Sequence, residues 1–152
     1  MIVEQRSVIG APAGSVWARV ITPEGINDEM SPWMTMTPPP GTTLNIDAVE
    51  VGVPLGRFWL RLFGVVPFDY DRLMIAELEP GRRFHEKSSM LSMRRWDHER
   101  TVEPAGDKAS IVLDRLSLEA RLPFMTPVFA KIVGCFFKHR HSRLAQHFDE
   151  RL

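Results

Sequence analysis

The sequence predicts an α+β domain in which a curved antiparallel sheet wraps one long C-terminal helix. Three observations carry that expectation. Between Arg57 and Ala120, strand-like segments follow one another with only short turns between them, and connections that short join antiparallel neighbours. From Phe124 to about Asp149 the spacing turns helical: Met125, Phe129, Ile132, Phe136, Arg140, Leu144 and Phe148 recur at three- and four-residue steps. One strand and two short helices precede the sheet segments. Residues 1–152 read as one domain, long enough to form a core without disulfide or metal.

Taken in order, alternation over Ile2 to Ile9 predicts the first strand, which Gly10-Ala11-Pro12 breaks. Val16, Trp17, Val20 and Ile21 share one helical face, and Pro12 suits the first turn of that helix. Thr22 caps a second helix, Pro23 fits its first position, and Glu24 complements its positive end. Pro32 stops it. Met36 to Pro54, with Pro38-Pro39-Pro40-Gly41, reads as mostly loop with a short strand near Ile46 to Val51. Strands are then expected over Arg57–Phe63, Asp69–Glu79, Arg83–Met90, Arg94–Glu103 and Ala109–Ala120. Gly64-Val65-Val66-Pro67, Pro80-Gly81 and Pro104-Ala105-Gly106-Asp107 mark the turns. The first half of the last helix is apolar nearly all round, which implies burial on several sides. Its second half, Lys138-His139-Arg140-His141-Ser142-Arg143, reads as a solvated basic face.

Composition narrows the function classes. Lys+Arg and Asp+Glu both number 19, so the basic excess of a phosphate-backbone binder is missing and no nucleic-acid partner is expected. The single Cys135 lies in an apolar run and reads as a small buried residue. The N-terminus lacks signal-peptide features and no stretch is long enough for a membrane span, so a cytoplasmic location without integral membrane association is expected. His139 and His141 lie about 200° apart on a helix and cannot share a metal on one face. Neither a metal nor a cofactor is expected, and the oligomeric state stays open.

Local text adds a resemblance. Ala11-Pro12-Ala13-Gly14-Ser15-Val16-Trp17, Leu78-Glu79-Pro80-Gly81-Arg82-Arg83-Phe84 and the stretch Asp107 through Asp114 resemble the first-helix entry, the mid-sheet hairpin and the last turn and strand of the START-related SRPBCC superfamily. Its polyketide cyclase/dehydrase-like branch is the most similar. The resemblance covers nearly the whole chain and implies the helix-grip fold, with a cavity between sheet and long helix. The superfamily includes lipid carriers, hormone receptors, cyclases and hydroxylase subunits, so the fold does not fix a function. The Cys-x-His and Cys-x-x-Cys pattern of its Rieske relatives is missing from this sequence.

Strand parity supplies candidate site residues. Trp96, His98, Arg100 and Val102 share one face of their strand, and the apolar ends turn His98 and Arg100 inward. Val112, Asp114, Leu116 and Leu118 form the matching face of the next strand. Pairing Val102 with Val112 sets Arg100 opposite Asp114 and His98 opposite Leu116. A buried arginine needs a counter-ion, so Asp114 is expected to partner Arg100. Aromatic and apolar lining is expected from Trp59, Phe63, Tyr70 and Met74, and from Trp96, Phe129, Ile132 and Phe136. The facing of the Arg57–Phe63 strand stays open, because Phe58, Leu60 and Leu62 compete with Trp59 and Phe63. Trp33, Met34 and Met36 suit either a flexible lip or ordinary packing.

Three functions fit these residues. One is the binding or transport of an apolar or aromatic small molecule or lipid. Another is a cyclase/dehydrase-type enzyme with His98 as acid/base and Arg100 polarising a carbonyl. The third is an interaction module without ligand, which would have a fully packed interior.

Overall fold

The computed structural model describes residues 1–149. Its elements run β1 (Ile2–Ile9), α1 (Ala13–Val20), α2 (Pro23–Met30), β2 (Met34–Thr37), β3 (Arg57–Leu62) and β4 (Val66–Arg72). They continue with β5 (Ile75–Glu79), β6 (Arg83–Met90), β7 (Met93–Pro104), β8 (Ser110–Ala120) and α3 (Thr126–Asp149). The strands form one antiparallel sheet in the order β1-β8-β7-β6-β4-β3-β2, with β5 also paired to β6. Helix α3 packs against β1, β8 and α2. The expected architecture is the observed one.

Local chemistry explains the boundaries. The Thr22 hydroxyl accepts from the Gly25 amide, and Pro23 occupies the first helical turn. Gly25 is required by packing: a Cβ there would lie 1.9 Å from the Arg19 carbonyl oxygen. Pro12 is the residue that precedes α1 rather than part of its first turn. Trp17 anchors α1 to the long loop by donating from Nε1 to the Asp47 carboxylate at 3.1 and 3.2 Å.

Three expectations need correction. Ile46–Ala48 is a single 3-10 turn, capped by the Asn45 side chain, rather than a strand. Met34–Thr37, expected in loop or lip, pairs with β3 as an edge strand. The strand expected over Asp69–Glu79 is two strands: β4 begins at Val66 and pairs chiefly with β3, whereas β5 pairs with β6. Pro67 is accommodated beside a register shift in the β3–β4 pairing, an irregularity that tolerates a missing amide donor.

Candidate functional site

The concave side of the sheet and α3 enclose a cavity of about 750 Å³, within the roughly 300–1,000 Å³ usual for small-ligand sites. Its wall is mainly apolar, with Leu60, Leu73, Ile75, Phe84, Trp96, Phe136 and Phe137 among the lining side chains. Trp33, Phe68 and Ile132 line it while remaining exposed, so they mark its opening. The apolar start of α3 is therefore only partly covered, contrary to the expected burial on several sides.

Deep in the wall lies a polar cluster. β7 and β8 pair in the expected register: Val102 opposes Val112, Arg100 opposes Asp114 and His98 opposes Leu116. Arg100 donates from Nε and Nη2 to the two Asp114 oxygens at 2.8 and 2.7 Å. Its Nη1 and Nη2 also grip both oxygens of Glu29, on α2, at 2.8 and 2.7 Å. Asp114 accepts two further bonds, from Nε2 of His98 at 2.7 Å and Nε2 of His141 at 2.6 Å. Nδ1 of His141 meets the Ser7 hydroxyl at 2.8 Å. Arg140 reaches Glu29 from Nε at 3.3 Å and lies 4.7 Å from the Phe137 ring centroid.

Electrostatics follow from that wiring. Burial works against the Asp114 charge, but Arg100 and then His98 outweigh it and hold the carboxyl well below the usual range. Burial likewise disfavours the His98 cation, yet Asp114 and Glu86 raise its pKa above the ordinary value. Arg140 moves the other way: burial lowers its pKa more than the nearby carboxylates raise it. On the facing wall, burial and then the Glu86 charge push Asp71 well above the carboxylate range. Glu86 ends below its ordinary value, because bonds with His98 and Asp71 outweigh its burial. Glu86 also accepts from the Ser88 hydroxyl at 2.7 Å. Oδ1 of Asp71 is buried without a hydrogen-bond partner among the described residues. Asp69 accepts from the Leu91 amide at 2.8 Å and from the Ser92 hydroxyl, fixing the β6–β7 turn.

A family model described as a domain of unknown function (DUF8410) matches residues 7–148. The chain belongs to that family. Curated proteins give no match. Among solved structures, a START superfamily protein from Mycobacterium smegmatis is 13% identical, with 99% of each chain covered and a TM-score of 0.72. Protein CV1439 from Chromobacterium violaceum is 16% identical over 97% of this chain and 96% of its own, with a TM-score of 0.69. DynU16, from the dynemicin biosynthetic locus, is 15% identical over 97% of this chain, which spans 47% of its length, with a TM-score of 0.65. At these identities the likeness establishes the START-related fold and leaves the bound molecule unspecified.

Within this family member, Trp96, His98, Arg100, Phe129, Ile132 and Phe136 line the cavity. Asp114 is fully buried behind the wall, reaching the cavity only through Arg100 and His98. Four expected lining residues lie elsewhere. In β3, Phe58 is 1% exposed and Trp59 39%, so the strand presents Phe58 and Leu60 inward. Trp59 pairs with Tyr70 on the outer face, ring centroids 5.6 Å apart, and Arg57 lies over the Tyr70 ring. Phe63 has a φ of 51°, a left-handed turn conformation that takes it out of strand parity, and it stacks near Trp33 at the exterior. Met74 faces a separate shallow depression with Arg72 and Lys87.

The sequence reading missed Glu29, Arg140, His141, Asp71 and Glu86. Periodicity held the signal for three of them, Arg140 already standing in the stripe that runs through Phe136 and Leu144. Glu29 follows Ile26 by three residues, and His141 lies four after Phe137 and three before Leu144, so both sit on buried stripes. The segment 138–143 is thus only partly solvated: Arg140 and His141 are buried, and Arg143 bonds Asp28 at 2.8 Å. Cys135, expected buried, is exposed. Among the described residues, no group of three or more His, Cys, Asp or Glu is placed to hold a metal ion, and no helix is long and apolar enough to cross a membrane.

Proposed function

We propose that residues 1–152 act as one ligand-binding domain that holds or carries an apolar or aromatic small molecule, a lipid included. The observation that carries this reading is the mainly apolar cavity of about 750 Å³ with a few polar side chains in its wall. Apolar walls supply affinity and isolated polar groups supply orientation. A fully packed interior would instead favour an interaction module without ligand.

The competing reading is a polyketide cyclase/dehydrase-type enzyme using His98 and Arg100. The wiring of these residues argues for a structural role. Arg100 spends four N–H bonds on Asp114 and Glu29, which leaves one of five donors for a substrate carbonyl. His98 has Nε2 on Asp114 and Nδ1 3.9 Å from Glu86. Burial disfavours its cation, but Asp114 and Glu86 raise its pKa above the ordinary value, and both ring nitrogens face carboxylates rather than the open cavity.

Titration with the neutral dye Nile red tests the binding reading. Its fluorescence should rise and be reversed by long-chain or polycyclic compounds. Phe136→Ala should shift the midpoint several-fold, and Trp59→Ala, on the outer face, should leave it unchanged. No dye binding, or equal sensitivity to both substitutions, would count against a ligand in this cavity.

A further inference from the structure

Arg140 is 8% exposed and lines the cavity, yet it makes a single hydrogen bond, from Nε to Glu29 at 3.3 Å. Glu29 is already held by two shorter bonds from Arg100. The two Nη groups of Arg140 have no hydrogen-bond partner among the described residues and are not sealed from open space, and the residue lines the cavity. A guanidinium offers five donors in a fork that matches a carboxylate. Most of that fork is unused, in a wall that is mainly apolar.

We propose that Arg140 anchors the head group of the ligand, pairing with the single carboxylate of an otherwise apolar molecule. The inference deepens the ligand-binding reading and rests on it. The other cations of the wall are committed: Arg100 to Asp114 and Glu29, His98 to Asp114. Among the described residues Arg140 bonds one carboxylate, which it shares with Arg100, so most of its donors are left over. Burial adds to the effect by disfavouring its cation, a cost that a bound anion offsets. A monoanion fits better than a phosphate dianion, because Asp69 and Glu86 also line the cavity and would repel the second charge. The apolar remainder of the ligand would lie along Phe136 and Phe137 toward the opening at Ile132 and Trp33.

The test displaces bound Nile red with dodecanoic acid, methyl dodecanoate and dodecan-1-ol, three molecules with one tail and different heads. The acid should act at a concentration about tenfold or more below the other two, the scale of one charge-assisted pair. Arg140→Gln should bring the acid to the level of the ester, both compared within that variant so that any change in dye affinity cancels. Arg140→Lys should keep part of the preference. Equal displacement by acid and ester in the wild type overturns the proposal, and that comparison needs no variant. Persistence of the acid's preference in a folded Arg140→Gln protein overturns it too. Dye binding without displacement by the acid removes the carboxylate anchor alone. Failure of the dye to bind removes the ligand-binding reading and this inference with it.

Discussion

Arg100 and Arg140 lean on the same carboxylate, Glu29, and both are buried, yet their situations differ. Arg100 sits in the β7–β8 ladder opposite Asp114 and makes four bonds of 2.7–2.8 Å. Arg140 sits on α3 with one bond of 3.3 Å. A buried guanidinium with its donors satisfied holds elements together, and here Arg100 ties β7 and β8 to α2. A buried guanidinium with donors to spare has unspent capacity for something else. The contrast separates structure from site within one cluster, which residue type and burial alone would not do.

The largest expected effect follows from removing the satisfied member. Arg100→Met leaves Asp114 and Glu29 buried with fewer partners, and breaking a buried pair costs about 3–5 kcal/mol. Asp114→Leu should cost a similar amount. Arg100→Leu combined with Asp114→Leu should not restore stability, because Glu29 then loses its two short bonds. Arg140→Met, by contrast, leaves Glu29 gripped by Arg100 and removes a poorly compensated cation, so about 1 kcal/mol or less is expected. Urea denaturation measures all four. Equal losses for Arg100→Met and Arg140→Met would erase the distinction between them.

A smaller effect concerns pH. Asp114 lies below its unfolded value near 3.8, so its stabilisation is present above that value and is lost as pH falls through the lower native one. His98 lies above 6.5, so its contribution is complete below 6.5 and is lost as pH rises through the raised native value. Asp71 is a carboxyl raised above 3.8. Its favourable contribution is complete below 3.8 and is lost as pH rises through the raised native value. Asp71→Asn keeps a donor for Glu86 and needs no proton. It should therefore gain stability relative to wild type as pH rises from 3.8 to the raised native value, and keep that gain above it. Thermal melts from pH 4 to 9 give the sign, and a destabilised Asp71→Asn protein across that range would refute the raised Asp71 pKa.

How much of this was legible in the sequence depends on how parity was read. The β7–β8 register and the Arg100–Asp114 pair followed from apolar residues flanking polar ones on both strands. The same rule failed over Asp69–Ile75, where the inner face is Asp69, Asp71, Leu73 and Ile75. Two buried aspartates on that face run against the rule that charge marks the solvent side, and the expected lining residues Tyr70 and Met74 lie on the opposite face. In β3 the signal was present but unread: Arg57 and Arg61 share the face of Trp59, and the buried Phe58 and Leu60 lie on the face without charge. Glu29 escaped because a charged residue in a short helix reads as surface until its partner, 71 positions away, is known.

The central claim is that the cavity holds a small molecule, and native mass spectrometry of the purified protein tests it most directly. The account predicts a species heavier than the 17.4 kDa polypeptide that releases a non-protein mass on denaturation. A bare polypeptide that also stays unliganded after incubation with dodecanoic acid and with polycyclic compounds would contradict it.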